Sequence, residues 1–252
     1  MSLALRDVGV IRSGRAILDR ASLSCEPGRF TAFCGPNGAG KTTALSLLSG
    51  SLAPDAGEVF IDGAPLSALK PLELARRRAV VAQSSSLGFP FHVHEIVEMG
   101  RTPHAAVSTR ARDSEAVAAA MEAMEIAELG ARNYLTLSGG ERQRVNIARA
   151  LAQLWEPPEP GGHRWLLLDE PTSALDLRHQ IALFALLRRL AREGWGIVAV
   201  LHDLHLVLEH VDDVVLFRSA RIFATGPARR VLTPDAVQAA FGLDEPYALA
   251  AR

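Results

Sequence analysis

Residues 35–42, Gly-Pro-Asn-Gly-Ala-Gly-Lys-Thr, have the types and spacing needed to hold a chain of phosphates. Their glycines let the backbone turn so that successive N–H groups converge on phosphate oxygens, and a helix that begins here adds positive potential. Lys41 would reach the β and γ phosphates, and the Thr42 hydroxyl would ligate Mg²⁺. The pattern needs a strand before it and a helix after it, and residues 30–34 and 43–48 supply both. The nucleotide-binding residues predicted in this segment are Gly35, Pro36, Asn37, Gly38, Ala39, Gly40, Lys41, Thr42 and Thr43.

Two adjacent carboxylates, Asp169 and Glu170, follow the apolar run at residues 165–168. An acidic residue that ends a buried strand beside a phosphate-binding loop can hold Mg²⁺, and we assign this role to Asp169. Glu170 would then polarise a water molecule toward the γ-phosphate. The alternatives are a solvated turn or a helix N-cap, and the phosphate-binding pattern upstream favours the metal and base roles.

Residues 137–144, Leu-Ser-Gly-Gly-Glu-Arg-Gln-Arg, open a third candidate segment. Ser138 and Glu141 have the spacing of a capping box, which predicts an ordinary capped helix. Capping leaves Gly139 and Gly140 unexplained, because glycine lowers helix stability in the first turn. Bare N–H groups and a serine hydroxyl at a helix N-terminus form a second phosphate-binding surface. Because one nucleotide has one γ-phosphate, we expect two chains to pair head to tail, each Ser138 helix capping the nucleotide on the other chain.

The elements that must position these residues alternate along the chain. Four short β-branched or apolar runs do not alternate polar with apolar residues, which is typical of strands covered on both faces. They are residues 30–34, 165–168, 196–201 and 214–217. Helical patterns separate them; in residues 179–192 the leucines lie on one face. The alternation predicts βαβ units and a mostly parallel sheet in an α/β fold.

Two regions depart from that scheme. The first sixty or so residues combine short strands with turn residues, which predicts an N-terminal antiparallel β annex. Residues 86–154 are largely helical in pattern, and residues 155–164, rich in proline and glycine, are predicted to form a loop. We therefore expect a single domain over residues 1–252. Residues 1–84 and 155–252 would form its core with the annex, and residues 85–154 an inserted helical subdomain.

Composition restricts the function classes. The chain has 252 residues, of which 48% are hydrophobic and 22% charged, and its net charge is -1. No basic field exists to hold nucleic acid, and two cysteines cannot form a disulfide scaffold. The longest stretch without Asp, Glu, Lys or Arg, residues 79–94, is shorter than the roughly 20 residues of a membrane span. We expect a soluble chain whose apolar excess lies in a core or on a docking face.

Residues 35–42, 137–141 and 169–170, followed by His202, resemble in this order the ATP-binding subunit of an ATP-binding-cassette (ABC) transporter. The resemblance covers essentially the whole chain and implies a P-loop NTPase core that hydrolyses ATP with Mg²⁺. It implies that Gln83 touches Mg²⁺ or the attacking water and senses a membrane partner, and that residues 174–176 cross the dimer seam. His202 would contact the γ-phosphate. The implied catalytic residues are Glu170, His202 and Gln83; the nucleotide contacts from the second surface are Ser138, Gly139, Gly140 and Asp176; and the Mg²⁺ ligands are Thr42, Gln83 and Asp169.

One departure from the family pattern concerns the adenine base. Such subunits usually carry an aromatic residue in the N-terminal strands that stacks on adenine, and residues 10–14 contain none. Arg12 would stack through its guanidinium plane instead.

Residues 75–83, 89–91, 97–104 and the C-terminal extension resemble the ATPases of iron-siderophore, haem and cobalamin importers, and the insert at 155–164 resembles that of the haemin-importer ATPases. The resemblance implies a homodimer on the cytoplasmic face of the inner membrane. The homodimer would bind permease subunits, and residues 86–94 would form part of the docking groove. A periplasmic haem-binding protein would deliver haem to the permease. The alternatives are a siderophore or cobalamin importer and, in another class, a soluble ABC-type ATPase of DNA repair or translation. A P-loop kinase or GTPase would lack the LSGGE segment.

Overall fold

The computed structural model describes residues 2–83, 88–245 and 247. Its strands are β1 (Leu3–Arg12), β2 (Arg15–Cys25), β3 (Phe30–Cys34), β4 (Ala56–Ile61), β5 (Ala64–Pro65), β6 (Arg78–Val81), β7 (Trp165–Asp169), β8 (Gly196–Val200), β9 (Asp213–Arg218) and β10 (Arg221–Pro227). Its α-helices are α1 (Lys41–Ser49), α2 (Pro71–Arg77), α3 (Val93–Glu98), α4 (Arg110–Ala123), α5 (Gly139–Gln153), α6 (Leu177–Arg192), α7 (Leu204–His210), α8 (Ala228–Val231) and α9 (Pro234–Phe241). None of the helices in these ranges is long and apolar enough to span a membrane.

The central sheet has six strands in the order β10-β9-β3-β8-β7-β6. All neighbours are parallel except β9 and β10. The predicted strand at residues 30–34 coincides with β3, and the other three predicted strands match β7, β8 and β9 within one residue at each end. The parallel order brings the C-terminal ends of β3, β8, β7 and β6 to one edge, which is where ligands bind in such sheets.

The N-terminal annex is a four-stranded antiparallel sheet in the order β2-β1-β4-β5, which confirms the prediction. The β1–β2 hairpin turns at Ser13 and Gly14, both with positive φ. Its second strand also lies against the end of the central sheet. Asp19 N donates to the Ala220 carbonyl at 2.8 Å, and the Asp19 carboxylate accepts from the Arg221 guanidinium.

The helices between β6 and β7 confirm the predicted helical insertion. Helix α4 ends at Ala123, and the chain turns at Glu125, which has a φ of +51°. A short 3₁₀ turn, Ala127–Leu129, follows. The α5 backbone lies very close to Gly100, where a Cβ would stand 2.3 Å from the Arg149 carbonyl oxygen. This close approach fixes α5, and therefore the 137–141 segment at its start, against its neighbours.

Two apolar cores lie on the two faces of the central sheet. One joins the sheet to α1 and the annex, and the other joins it to α5, α6 and the helical insertion. Both cysteines are buried and free, and burial raises the pKa of the Cys25 and Cys34 thiols to about 12.

Residues 155–164 contain no helix or strand, as predicted, and polar contacts at both ends hold them. Glu156 accepts from Arg101 and from Arg112 of α4, each at 2.8 Å or less. At the other end, His163 N and Nδ1 lie 3.0 and 2.9 Å from the carboxylate of Asp62, in the turn between β4 and β5. The segment therefore connects the helical insertion to the annex, and we call it the 155–164 strap.

Candidate nucleotide-binding and hydrolysis site

The loop between β3 and α1 can form only with glycine at two positions. Gly35 has a φ of +135°, and a Cβ there would lie 2.3 Å from the Phe217 carbonyl oxygen of β9. Gly40 has a φ of +105°, and its Cβ would lie 2.8 Å from the Ile17 carbonyl oxygen of β2. Gly40 is also the N-cap of α1 and supplies no capping side chain, so the first-turn N–H groups stay available to an anion.

Lys41 places a buried cation at this loop. Its side chain is 6% exposed, and Nζ donates to the carbonyl oxygens of Gly35 at 2.7 Å and Pro36 at 2.9 Å. Burial lowers the pKa of Lys41. Among the described residues, no carboxylate lies within salt-bridge distance of this ammonium group. A buried cation without a counter-ion beside free helix amides suits a phosphate chain.

Thr42 and Asp169 meet where α1 begins and β7 ends. The Thr42 hydroxyl donates to Asp169 Oδ1 at 3.3 Å, and the Asp169 side chain is 5% exposed. Burial raises the pKa of Asp169, although the Thr42 hydrogen bond opposes the shift. A hydroxyl and a carboxylate side by side are the hard oxygen ligands that Mg²⁺ takes in phosphate-binding sites, so these residues fit the ion.

Glu170 is held by two side chains from neighbouring strand ends. Gln83 Nε2 donates to Glu170 Oε2 at 2.8 Å, and His202 Nε2 donates to Glu170 Oε1 at 2.8 Å. Gln83 follows β6 and His202 follows β8, the two strands that flank β7. Glu170 itself has a φ of +47°, an uncommon value for a residue with a side chain. Both carboxylate oxygens therefore have partners in this arrangement, which we call the Glu170 clamp.

The start of α5 shows the predicted capping box. Ser138 Oγ accepts from Glu141 N at 3.2 Å, and Ser138 N donates to Glu141 Oε2 at 2.7 Å. These hydrogen bonds lower the pKa of Glu141. Gly140 also has a packing reason, because a Cβ there would lie 2.9 Å from the Ala174 carbonyl oxygen. Gly139 and Gly140 thus leave their backbone bare and let the loop after β7 approach.

Residues 174–176 lead directly into α6. Asp176 is its N-cap and accepts from His179 N at 2.9 Å, and hydrogen bonds from His179 lower the pKa of Asp176. Gln180 Nε2 donates to the carbonyl oxygens of Thr172 and Leu175 at 3.2 and 2.9 Å, which fixes the loop. The sequence analysis missed Gln180, although its place one turn after the Asp176 N-cap is a signal for a side chain that reaches back.

The structure brings the predicted residues into two groups. The first group joins the 35–42 loop to the strand ends and consists of Lys41, Thr42, Asp169, Glu170, Gln83 and His202. The second consists of Ser138, Gly139, Gly140 and Asp176, at the N-termini of α5 and α6. Among the described residues, no hydrogen bond joins Ser138 or Asp176 to the 35–42 loop.

Arg12 and the predicted docking segment 86–94 belong to neither group. Arg12 is half-exposed, and its Nη1 donates to the Ile11 carbonyl at 2.7 Å and to Asp55 Oδ2 at 3.3 Å. Of the predicted docking segment 86–94, residues 86 and 87 lie outside the described residues. Phe89 is 69% exposed, whereas Val93 is fully buried at the start of α3.

These features define an ATP-binding cassette. The family model described as ABC transporter matches residues 18–173, more than half of the chain. Together with the relatives below, this match shows that the chain belongs to the ABC transporter family, as the sequence predicted. The α/β P-loop core with its annex and helical insertion is the fold of this family.

Individual relatives show which members of this family the chain is similar to. The hemin import ATP-binding protein HmuV of Rhizobium meliloti is 44% identical over 94% of this chain and 89% of its own. That of Pseudomonas entomophila is 48% identical over 92% and 89%. A putative metal-chelate type ABC transporter in an inward-facing conformation has a TM-score of 0.78 and 28% identity, covering 96% of this chain and 89% of that one. A dimeric ATP-binding cassette bound to ADP and Pi has a TM-score of 0.77 and 26% identity, covering 90% and 99%.

Proposed function

We propose that this protein is the ATP-hydrolysing subunit of a hemin importer and that it works as a head-to-tail homodimer bound to a membrane permease. The Glu170 clamp beside the Lys41 loop is the observation that carries the hydrolysis, because it gathers a base, its two holders and a phosphate cradle at one sheet edge. The names of relatives 44–48% identical to this chain support hemin as the substrate.

Each residue of the site has a role in this proposal. The 35–42 loop and Thr43 bind the phosphates, and Lys41 exchanges its carbonyl partners for phosphate oxygens. Thr42, Asp169 and Gln83 would hold Mg²⁺, which would supply positive charge to neutralise the phosphates. Glu170 takes the proton of the attacking water, and His202 orients the γ-phosphate.

The Glu170 clamp orients the base toward the attacking water. Gln83 and His202 each hold one carboxylate oxygen, and each oxygen keeps a second lone pair that can accept from water. In this proposal His202 exchanges Glu170 Oε1 for a γ-phosphate oxygen when ATP binds, which frees Oε1 for the water.

The second group of residues completes the site of the partner chain. Residues 85–154 form a helical subdomain on the core made by residues 1–84 and 155–252. The bare first turn of α5 is then presented by Ser138, Gly139 and Gly140 to the nucleotide on the other chain, with Asp176 at the seam.

A mixed dimer tests this arrangement. Ser138→Arg in one chain should impair the site that contains the partner's Lys41, because a large cation would displace the γ-phosphate from the α5 amides. The measurement is ATP turnover in dimers that carry Ser138→Arg in one chain and Lys41→Ala in either the same chain or the other. Placing both changes in one chain disables both sites. Splitting them between the two chains leaves one site intact, so the split dimer should be the more active. Higher activity of the dimer with both changes in one chain would contradict the head-to-tail arrangement.

The permease partner and the cell compartment are also part of the proposal. The dimer sits on the cytoplasmic face of the inner membrane, and a periplasmic haem-binding protein delivers the substrate to the permease. Exposed Phe89, close in the chain to Gln83, supports a docking surface at residues 88–94 that links the permease to the Glu170 clamp.

Uptake by proteoliposomes tests the substrate. The subunit is reconstituted with a candidate permease in proteoliposomes supplied with ATP, and uptake of hemin, a ferric siderophore and cobalamin is compared. We expect hemin uptake with the parent subunit and no hemin uptake with Glu170→Gln. Uptake of only the siderophore or only cobalamin would show that hemin is not the substrate. In a separate pull-down, recovery of nucleic acid in place of a permease would favour the DNA-repair or translation class.

A further inference from the structure

Helix α6 presents two large aliphatic side chains to solvent on the face opposite its buried leucines. Leu177 is 68% exposed and Ile181 is 51% exposed, whereas Leu183 and Leu187 are buried. Leu177 and Ile181 are one turn apart and therefore share a face, and exposed Ala185 continues the row. We call Leu177, Ile181 and Ala185 the α6 stripe.

The α6 stripe is continuous with the surface that carries the 138–140 amides. It begins directly after residues 174–176, and that loop packs on the start of α5. A Cβ on Gly139 would lie 3.6 Å from Ala174 Cβ, and a Cβ on Gly140 would lie 2.9 Å from the Ala174 carbonyl. A partner chain that covers the Ser138 end of α5 therefore also reaches the residues that follow Asp176.

The charges beside the α6 stripe suit the edge of an interface. Arg178, on the same helix, pairs with Glu125 at 2.8 Å, and both side chains are more than half exposed. An apolar centre beside exposed charged groups is the usual composition of a protein–protein contact. Side chains of this size gain free energy when a partner removes them from water.

We propose that the α6 stripe is an interface with a second copy of this chain and that it is buried when ATP closes the dimer. The proposal rests on the head-to-tail homodimer proposed above. It adds an apolar contribution to a dimer seam that is otherwise made of polar nucleotide contacts.

The dimer dissociation constant measures how much the α6 stripe contributes to dimerisation. In a Glu170→Gln background, which we expect to bind ATP without hydrolysing it, the dimer dissociation constant is determined by sedimentation equilibrium with saturating ATP and Mg²⁺. Leu177→Ser combined with Ile181→Ser should raise this constant roughly 10- to 100-fold, because two aliphatic side chains no longer contribute. The matched control is Leu72→Ser combined with Val107→Ser, a pair exposed to 50% and 68% on other elements, which should leave it unchanged.

The outcomes separate the two proposals. Equal dissociation constants for the stripe variant and its parent overturn the α6 stripe and leave the dimer in place. A parent that stays monomeric with ATP at every concentration overturns the head-to-tail dimer and the stripe with it.

A second measurement tests directly whether position 181 becomes buried when ATP is added. Ile181→Cys should be alkylated at least tenfold more slowly after ATP is added to the Glu170→Gln protein, whereas Leu72→Cys should show no change. Cys25 and Cys34 are buried with pKa values raised to about 12, so the introduced thiol gives the signal. An Ile181→Cys rate that ATP does not alter overturns the proposal.

Discussion

At the scale of single residues, Glu170 is the position where binding and hydrolysis should separate. Glu170→Gln keeps the size of the side chain and removes the base, so ATP binding should persist while hydrolysis falls about 10²–10⁴-fold. Single-turnover ATPase assays and equilibrium nucleotide binding measure the two quantities. Near-normal turnover in this variant would remove Glu170 from the role of base.

Asp169 should show a conflict between stability and function. Burial raises its pKa above the ordinary 3.8, so the folded state binds this proton more tightly than the unfolded chain. Stability is therefore lost as pH rises from that value through the raised pKa, and the carboxylate destabilises the nucleotide-free fold at pH 7. Asp169→Asn removes this charge and keeps an oxygen that can accept from Thr42.

Thermal unfolding without nucleotide or Mg²⁺ tests Asp169→Asn. The variant should melt at a higher temperature than the parent at pH 7, by a margin that shrinks toward pH 4, and its Mg²⁺-dependent hydrolysis should be lost. A lower melting temperature at pH 7 would show that the attraction between Asp169 and Lys41 exceeds the cost of burial.

At the scale of elements, the 155–164 strap depends on the contact between Glu156 and Arg101. The Arg101 side chain is only 3% exposed, and its other partners include Asp113 and the Ala152 carbonyl. Glu156→Ala leaves that buried guanidinium partly unpaired and should lower the free energy of unfolding by about 1–3 kcal/mol. Chemical denaturation measures the loss.

Arg112→Ala is the matched control for the strap. Arg112 contacts the same carboxylate but is 53% exposed, so its removal should lower the free energy of unfolding clearly less than Glu156→Ala does. Equal losses for the two variants would mean that burial of Arg101 does not determine the strength of this contact.

The sequence was a better guide to elements than to their mutual contacts. Apolar runs such as residues 165–168 identify buried strands, because a strand covered on both faces does not alternate polar with apolar residues. The break at Glu125 was not predictable, because helix-favouring residues such as Ala123 and Ala127 lie on both sides of it. The two hydrogen bonds of the Glu170 clamp were also not predictable from the sequence. They depend on β6 and β8 flanking β7, an order that no local pattern encodes.

At the scale of the whole molecule, the two groups of site residues predict concentration-dependent catalysis. If each site needs the α5 end of another chain, a dilute monomer cannot hydrolyse ATP. The specific ATPase activity of the isolated protein should therefore rise with protein concentration and level off once the dimer forms. A dilution series under saturating ATP measures this, and a constant specific activity would indicate that one chain suffices.

The contact between the β1–β2 hairpin and the end of the central sheet has a consequence for handling the protein. A strand at the end of a sheet offers unpaired backbone groups to other chains and is a common starting point for aggregation. Here Asp19 of β2 occupies the Ala220 carbonyl and holds Arg221 at the start of β10. The hairpin thus covers part of this border against strand addition, which helps the isolated chain to stay monodisperse at high concentration.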